Sequence, residues 1–202
     1  LYKEVKGIDF RIQRINNSIN HRLRILFPSQ IKADKVNADG HFHVPQRDIE
    51  LPNGEGWVQA PQPTNHQKKF VSVSNHNKVF SVLNKGLPEY EAIRNEDESI
   101  TLAITLLRCI EWLSRDDFPT RSAHAGPEMN TPGAQCLGSH AFELSLIIDN
   151  DKENWFDAKI HKRANEFNCT LLPMFPTMTD SDLRLLRKVV LKPTGMLSLY
   201  LP

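Results

Sequence analysis

Two adjacent carboxylates, Asp116 and Asp117, stand near the end of an apolar run, in the stretch Arg108–Gly138 (RCIEWLSRDDFPTRSAHAGPEMNTPGAQCLG). A carboxyl pair can act as acid and nucleophile in glycoside hydrolysis, where retaining enzymes hold the two about 5–5.5 Å apart across one gap. Neighbours on an extended chain point to opposite sides. These two therefore do not face one substrate together, and the competing reading pairs one with an arginine and lets the other cap the turn. Arg121 follows on the same stretch, with His124 just beyond. Its guanidinium offers several donors in a rigid fork, suited to sugar hydroxyls or to a carboxylate that must stay ionised. The alternative is a loop arginine paired with Asp116 or Asp117.

Other chemistry-bearing residues carry weaker signals. His41 and His43 in HFH share a side if the segment is a strand, but zinc takes three or four protein ligands. His124 and His140 could complete a set only through the fold, and edge-strand histidines are the simpler reading. Cys136 with His140, or Cys109 with a distant histidine, could form a thiol nucleophile pair. No helix N-terminus or basic setting activates them, which favours buried neutral thiols. Trp112 and Trp155 read as packing residues. Trp57, after a Gly-rich turn, is the tryptophan to test for sugar contact.

The elements that must position these groups read as strands. Residues 7–15 and 21–27 alternate and are joined at Asn16-Asn17-Ser18. Leu23, Ile25 and Phe27 face one way and Arg22 and Arg24 the other, and Pro28 ends the run. Residues 29–40 are polar and close on Asp39-Gly40. HFHVPQRDIEL is extended, since Pro45 forbids a helix interior. Asn53-Gly54-Glu55-Gly56 is a turn. Residues 70–74 and 78–84 form a hairpin around Asn75-His76-Asn77. Residues 99–113 fit either period, and their β-branched content favours a strand. Arg108–Gly138 passes from strand into a long ordered loop, punctuated by Pro and Gly. His140–Ile148 is a strand with Phe142, Leu144, Leu146 and Ile148 on one face. Residues 152–167 form the one clear helix, with Phe156, Ile160, Ala164 and Phe167 on one stripe, Asp151 as N-cap and Asn168 as terminator. LRKVVLK and MLSLYL are short tail strands around Pro193-Thr194-Gly195. Many short strands and one late helix predict an all-β fold, a large β-sandwich.

The chain has 202 residues, 25 basic and 24 acidic, for a net charge of +1. A domain of this size buries roughly 70% of its unfolded surface and needs no staples. The balanced charge argues against nucleic acid and anionic membranes as partners. No apolar run reaches transmembrane length and no signal-like start is present. Three widely spaced cysteines, Cys109, Cys136 and Cys169, fit free thiols in a reducing, cytoplasmic setting. The sequons at Asn16 and Asn168 are then chance occurrences. The opening LYKEVKGIDFRIQRI has neither Met nor a capping signal before its first strand, which reads as a segment of a longer protein.

The string LSRDDFPTRSAHAGPEMNTPGAQCLG resembles the C-terminal β-domain of bacterial α-mannosidases of glycoside hydrolase family 38. NHRLRILFP, ADGHFHVPQRDIELP, VLNKGLPEYEA and ITLLRCIEWLSRDD agree in the same order, so the likeness covers roughly residues 5–170. It implies a galactose-mutarotase-like supersandwich over residues 1–176, with 177–202 as tail strands opening a further β-segment. It implies retaining hydrolysis of terminal α-mannosides by the complete enzyme, with an Asp nucleophile, a carboxylic acid and a divalent metal, usually zinc, all in an N-terminal catalytic domain outside this chain. No catalytic residue, metal ligand or cofactor then falls in these 202 residues. The expected share of the chain is to dock on that catalytic domain, wall its cleft and lend Arg121 to the α-mannoside, supported by Asp116, Asp117 and His124. Oligomerisation is compatible with this reading. Two rival readings stand beside it: a stand-alone, non-catalytic carbohydrate-binding β-sandwich, and a metal-dependent hydrolase built on the histidines.

Overall fold

The computed structural model describes residues 7–121 and 123–169. Two antiparallel sheets face each other, as expected for an all-β sandwich. One sheet has six strands in the order β1-β10-β7-β6-β3-β4, and the other has four in the order β2-β9-β8-β5. The first contains β1 (Ile8–Asn16), β3 (Lys35–Ala38), β4 (Gln46–Asp48), β6 (Phe70–Asn75), β7 (Lys78–Asn84) and β10 (Gly138–Asp149); the second contains β2 (Arg22–Lys32), β5 (Thr64–His66), β8 (Glu89–Arg94) and β9 (Ser99–Arg108).

The alternation in the sequence sets which faces meet. Val71, Val73, Phe80, Val82 and Leu144 of the larger sheet pack against Phe27, Tyr90, Ile100, Leu102 and Ile104 of the smaller one. Nearly all of β9 is buried on both faces, from Ser99 to Leu107. The segment that fits either period is therefore a central strand, where β-branched residues pack best. It ends at Arg108 and does not run on to residue 113. On the outer side of the larger sheet, Phe70, Val79, Leu83 and Ile147 meet Ile160 and Ala164 of α1 (Ile160–Asn168). Both faces of β7 are thereby covered.

Several expectations are corrected. Pro28 does not end its strand: β2 runs to Lys32, with an irregularity in the pairing between Pro28 and Lys32. β2 is an edge strand, where a missing N–H breaks no ladder bond. The polar stretch 29–40 contains Ile31, fully buried, and strand β3. His41 and His43 do not lie on a strand. They occupy a bend with Phe42 left-handed at φ 67°, and His43 Nδ1 lies 2.9 Å from the His41 carbonyl. The helix begins at Ile160, not at 152, and Asp151 is not its cap. The Asn154 side chain accepts from the N–H groups of Phe156 and Asp157, a local turn that competes with helix. Lys159 then takes a left-handed conformation as N-cap. The helix also includes Asn168, with Cys169 at its C-cap. Strands β5 and β8 carry no sequence signal strong enough to predict them. The tail strands and the boundary at 176/177 lie outside the described residues.

Candidate functional site

Between β9 and β10 the chain makes a long excursion that is itself ordered by backbone pairing. Leu113 N–H donates to Met129 O (2.9 Å), Thr131 N–H to Glu111 O (2.6 Å) and Ile110 N–H to Ala134 O (3.4 Å). These bonds zip residues 110–113 against 129–134. Beyond the zip, Ser114 Oγ, nearly buried, accepts from the N–H groups of Ala125 (3.2 Å) and Gly126 (3.3 Å), closing the inner loop. The outgoing end is tied to the sheet by Asn16 at the end of β1. Its buried amide donates to Gln135 O (3.0 Å) and Cys136 O (2.9 Å). Replacing it takes the donor from the buried Gln135 carbonyl and leaves Cys136 O only the His140 ring; an unpaired buried acceptor costs about 1–3 kcal/mol. Asn16→Ala should therefore lower the urea midpoint and speed proteolysis within 110–138; wild-type resistance on both counts would show that the amide is dispensable. With Asn16 4% exposed, its sequon presents no accessible acceptor.

The sequence-predicted site residues sit on the inner loop. Asp117 is held by Arg115, whose Nε donates at 2.7 Å while its Nη2 closes the second arm. This fork keeps the Asp117 carboxyl below the usual carboxylate range. Asp116 faces a different partner, His124 Nε2 at 3.6 Å. The two carboxylates thus serve separate contacts. Arg121 pairs with neither. Its guanidinium donates to the Ala123 carbonyl, to Gln59 Oε1 (3.4 Å) and to the Arg115 carbonyl (3.4 Å). Gln59 and Arg121 also form a backbone bridge, and Ala60 N–H donates to Thr120 O at 2.9 Å. The 57–62 segment therefore clasps the inner loop. Its path is set by Gly54, left-handed at φ 67°, where a Cβ would lie 2.4 Å from Pro61 Cδ; only glycine fits there.

Together these segments wall a cleft of about 580 Å³, with Arg22, Glu89, Arg108, Trp112 and Arg121 among its lining residues. Asp116, Asp117 and His124 do not line it. Trp112 is not the packing residue its sequence context suggests: it is half-buried, lines the cleft and is bridged to Asn130. Trp57 is exposed and outside the cleft; Trp155 packs on Phe70, ring centroids 5.8 Å apart. Arg22, Arg108, Glu89 and Gln59 escape sequence reasoning as site residues. The one signal for Arg22 is its place on the polar face of an alternating strand.

The remaining candidates are dispersed. Among the described residues no three of His, Cys, Asp or Glu are arranged to hold a metal ion. His140 Nε2 contacts the Cys136 carbonyl at 2.7 Å and not its thiol. Cys109 Sγ lies 4.0 Å from His21 Nε2. Burial pushes the Cys109 thiol up, Cys136 nearby adds to this, and the Asn16 amide opposes it. A raised pKa means less thiolate at any given pH. Iodoacetamide at neutral pH should therefore modify exposed Cys169 well before Cys109, followed by mass spectrometry; Cys109 reacting first would overturn this. No helix among the described residues is long and apolar enough to cross a membrane.

The fold and this loop-walled cleft define a β-sandwich module with a polar, arginine-bearing groove at one end of its smaller sheet. No family model matches the chain. It is 29% identical over 184 residues to a protein of Halalkalibacterium halodurans named "Putative mannosylglycerate hydrolase", covering 90% of this chain and 18% of that protein. Among solved structures it is similar to an α-mannosidase from Enterococcus faecalis V583 (TM-score 0.62, 28% identity). It is also similar to a glycosyl hydrolase family 38 protein from Enterococcus faecalis (TM-score 0.61, 29% identity). Each of these matches covers 82% of this chain and 17% of the other. Sequence and fold together relate the chain to glycoside hydrolase family 38, in agreement with the resemblance carried by the 113–138 string. The chain spans less than a fifth of the length of these relatives.

Proposed function

We propose that this chain is the β-sandwich module of a retaining α-mannosidase of the family 38 type. In this reading it docks on a separate catalytic domain, walls the sugar site with the 110–134 excursion, and lends Arg121 to the substrate. The observation that carries the proposal is the likeness to family 38 proteins in both sequence and fold over most of the chain. The cleft supports it: Trp112 offers an aromatic face of the kind that apolar sugar faces stack on, and Gln62 and Thr64 supply hydrogen-bonding groups. Arg121 supports it as well, since its donors are met only by neutral acceptors among the described residues.

The divalent metal that the resemblance implies finds no cradle among the described residues. His41 and His43 are engaged in one bend, ring to backbone, and gain no third ligand. No step is therefore routed through a metal here. The nucleophile and acid are likewise assigned to the catalytic domain, because Asp116 and Asp117 face different partners and not one gap.

The complete protein should hydrolyse a chromogenic α-mannoside. The 202-residue chain alone should show no turnover and hold no stoichiometric zinc by elemental analysis. Failure of the complete protein on every α-mannoside would overturn the proposal. Turnover by the isolated chain that is lost on mutating Asp116 or Asp117 would place the catalytic site here instead. Specific binding of methyl α-mannoside by the chain, in a complete protein without hydrolase activity, would favour a carbohydrate-binding sandwich.

A further inference from the structure

Arg22 and Arg108 are directly opposite each other in the β2–β9 ladder. The pairing slips by one residue between Leu23 and Arg24, which brings Arg108 level with Arg22, and both line the cleft. Like charges directly opposite on neighbouring strands destabilise a sheet unless something offsets them. Arg22 is partly offset, lying 3.6 Å from both Glu89 and Glu91. Those carboxylates are also claimed elsewhere: Arg24 Nη1 donates to Glu91 at 2.5 Å, and Thr105 Oγ1 donates to Glu89 at 2.7 Å. Arg108 is exposed and has no ion-pair partner among the described residues. Arg121, across the same cleft, is bonded only to neutral acceptors. The cleft is thus lined by three arginines, 22, 108 and 121, against one carboxylate, Glu89, which leaves it positive in a chain whose net charge is only +1.

We propose that Arg22 and Arg108 form an anion-binding subsite, and that the cleft takes a small ligand bearing a carboxylate or phosphate. Guanidinium forks match both groups in a bidentate manner. The assignment to a glycoside's anionic part rests on the reading above that the cleft serves a sugar site; the anion preference itself is measured without any sugar. Arg108 is the specificity-determining residue, because Arg22 is already shared with two glutamates.

The test titrates the complete protein, and the 202-residue chain in parallel, with D-glycerate, inorganic phosphate and glycerol. Glycerate and glycerol match closely in size and differ in charge. Glycerate or phosphate should bind at least about tenfold more tightly than glycerol, and more weakly as salt rises. The tighter of the two anions identifies the group the subsite takes. Arg108→Gln should weaken anion binding by about tenfold or more, the range for a lost hydrogen bond to a charged group. Arg108→Lys, which keeps the charge but not the fork, should fall between. Anions binding no better than glycerol, or Arg108→Gln binding them like wild type, would overturn the proposal. If Arg108→Gln does not fold, Arg108→Lys with wild-type affinity and no salt dependence would overturn it equally. Hydrolysis of neutral α-mannosides without anion preference would sink this subsite and leave the proposed function standing. Anion binding without any mannosidase activity would do the reverse.

Discussion

Leu102→Ala should destabilise the sandwich by about 2–5 kcal/mol, the range for removing a buried leucine side chain from a packed core. Leu102 is fully buried in β9, paired with Phe27 on one side and Ala92 on the other. Its cluster draws on strands of both sheets, so the cavity opens where the two sheets meet. β9 lies inside the four-stranded sheet and β2 at its edge, which limits how far the neighbours can collapse into the gap. Since domains are stable by only about 5–15 kcal/mol, such a loss is a large fraction of the whole. Leu26→Ala is the matched control. Leu26 pairs with Ala103, one position from Leu102, but is 54% exposed. It should change stability by about 0.5 kcal/mol or less. Equal urea midpoint shifts for the two variants would show that the core is not organised around β9.

Arg121→Ala, made in the complete protein and assayed for the proposed α-mannosidase activity, should lower kcat/KM by about 10- to 150-fold, the equivalent of roughly 1.5–3 kcal/mol for a lost charged hydrogen bond. The side chain lines the cleft, and its guanidinium is oriented by the Ala123 and Arg115 carbonyls and by Gln59. That orientation serves a ligand only if donors remain for it, and the fork has more donors than the three acceptors fill. A purely structural Arg121 would act by holding the 57–62 segment against the inner loop. Gln59→Ala loosens the same clasp without removing the guanidinium, so it separates the two roles. Arg121→Ala should cost much more activity than Gln59→Ala, with both proteins folded by circular dichroism. Equal losses, or unchanged kinetics in a folded Arg121→Ala enzyme, would return Arg121 to a structural role.

Local alternation and local turn chemistry are enough to read part of this molecule from its sequence. The β6–β7 hairpin is one case. Phe70, Val71, Val73, Val79, Phe80, Val82 and Leu83 carry the pattern, and Asn75 Oδ1 accepts from Lys78 N–H at 3.1 Å to close the turn. Its cross-strand pairs and its turn bond all lie between Phe70 and Leu83. The two strands that flank the long excursion, and the ordered character of the excursion itself, are legible for the same reason: apolar alternation on either side, Pro and Gly between. The family likeness is also readable, because several rare strings recur in one order.

Tertiary pairing decided the rest. β3 and β5 have only four and three residues, too short to show a period, and exist because a neighbouring strand supplies their hydrogen bonds. Pro28 stays within a strand only because β2 falls at a sheet edge. Lys159, unremarkable by type, starts the helix late because the Asn154 turn precedes it. The cleft is the least visible feature. Arg22 and Arg108 are far apart in sequence, and a one-residue slip in register sets them side by side. Asn16 reads as a turn residue, yet it anchors a loop whose carbonyls lie 119 and 120 residues away. The acidic pair that stands out in the sequence lies off the cleft, while of the arginines that line it only Arg121 stands out locally. Side-chain period and turn preference are properties of neighbouring residues; which charges share a cleft depends on strand order and register, and those are set by the packing of the two sheets.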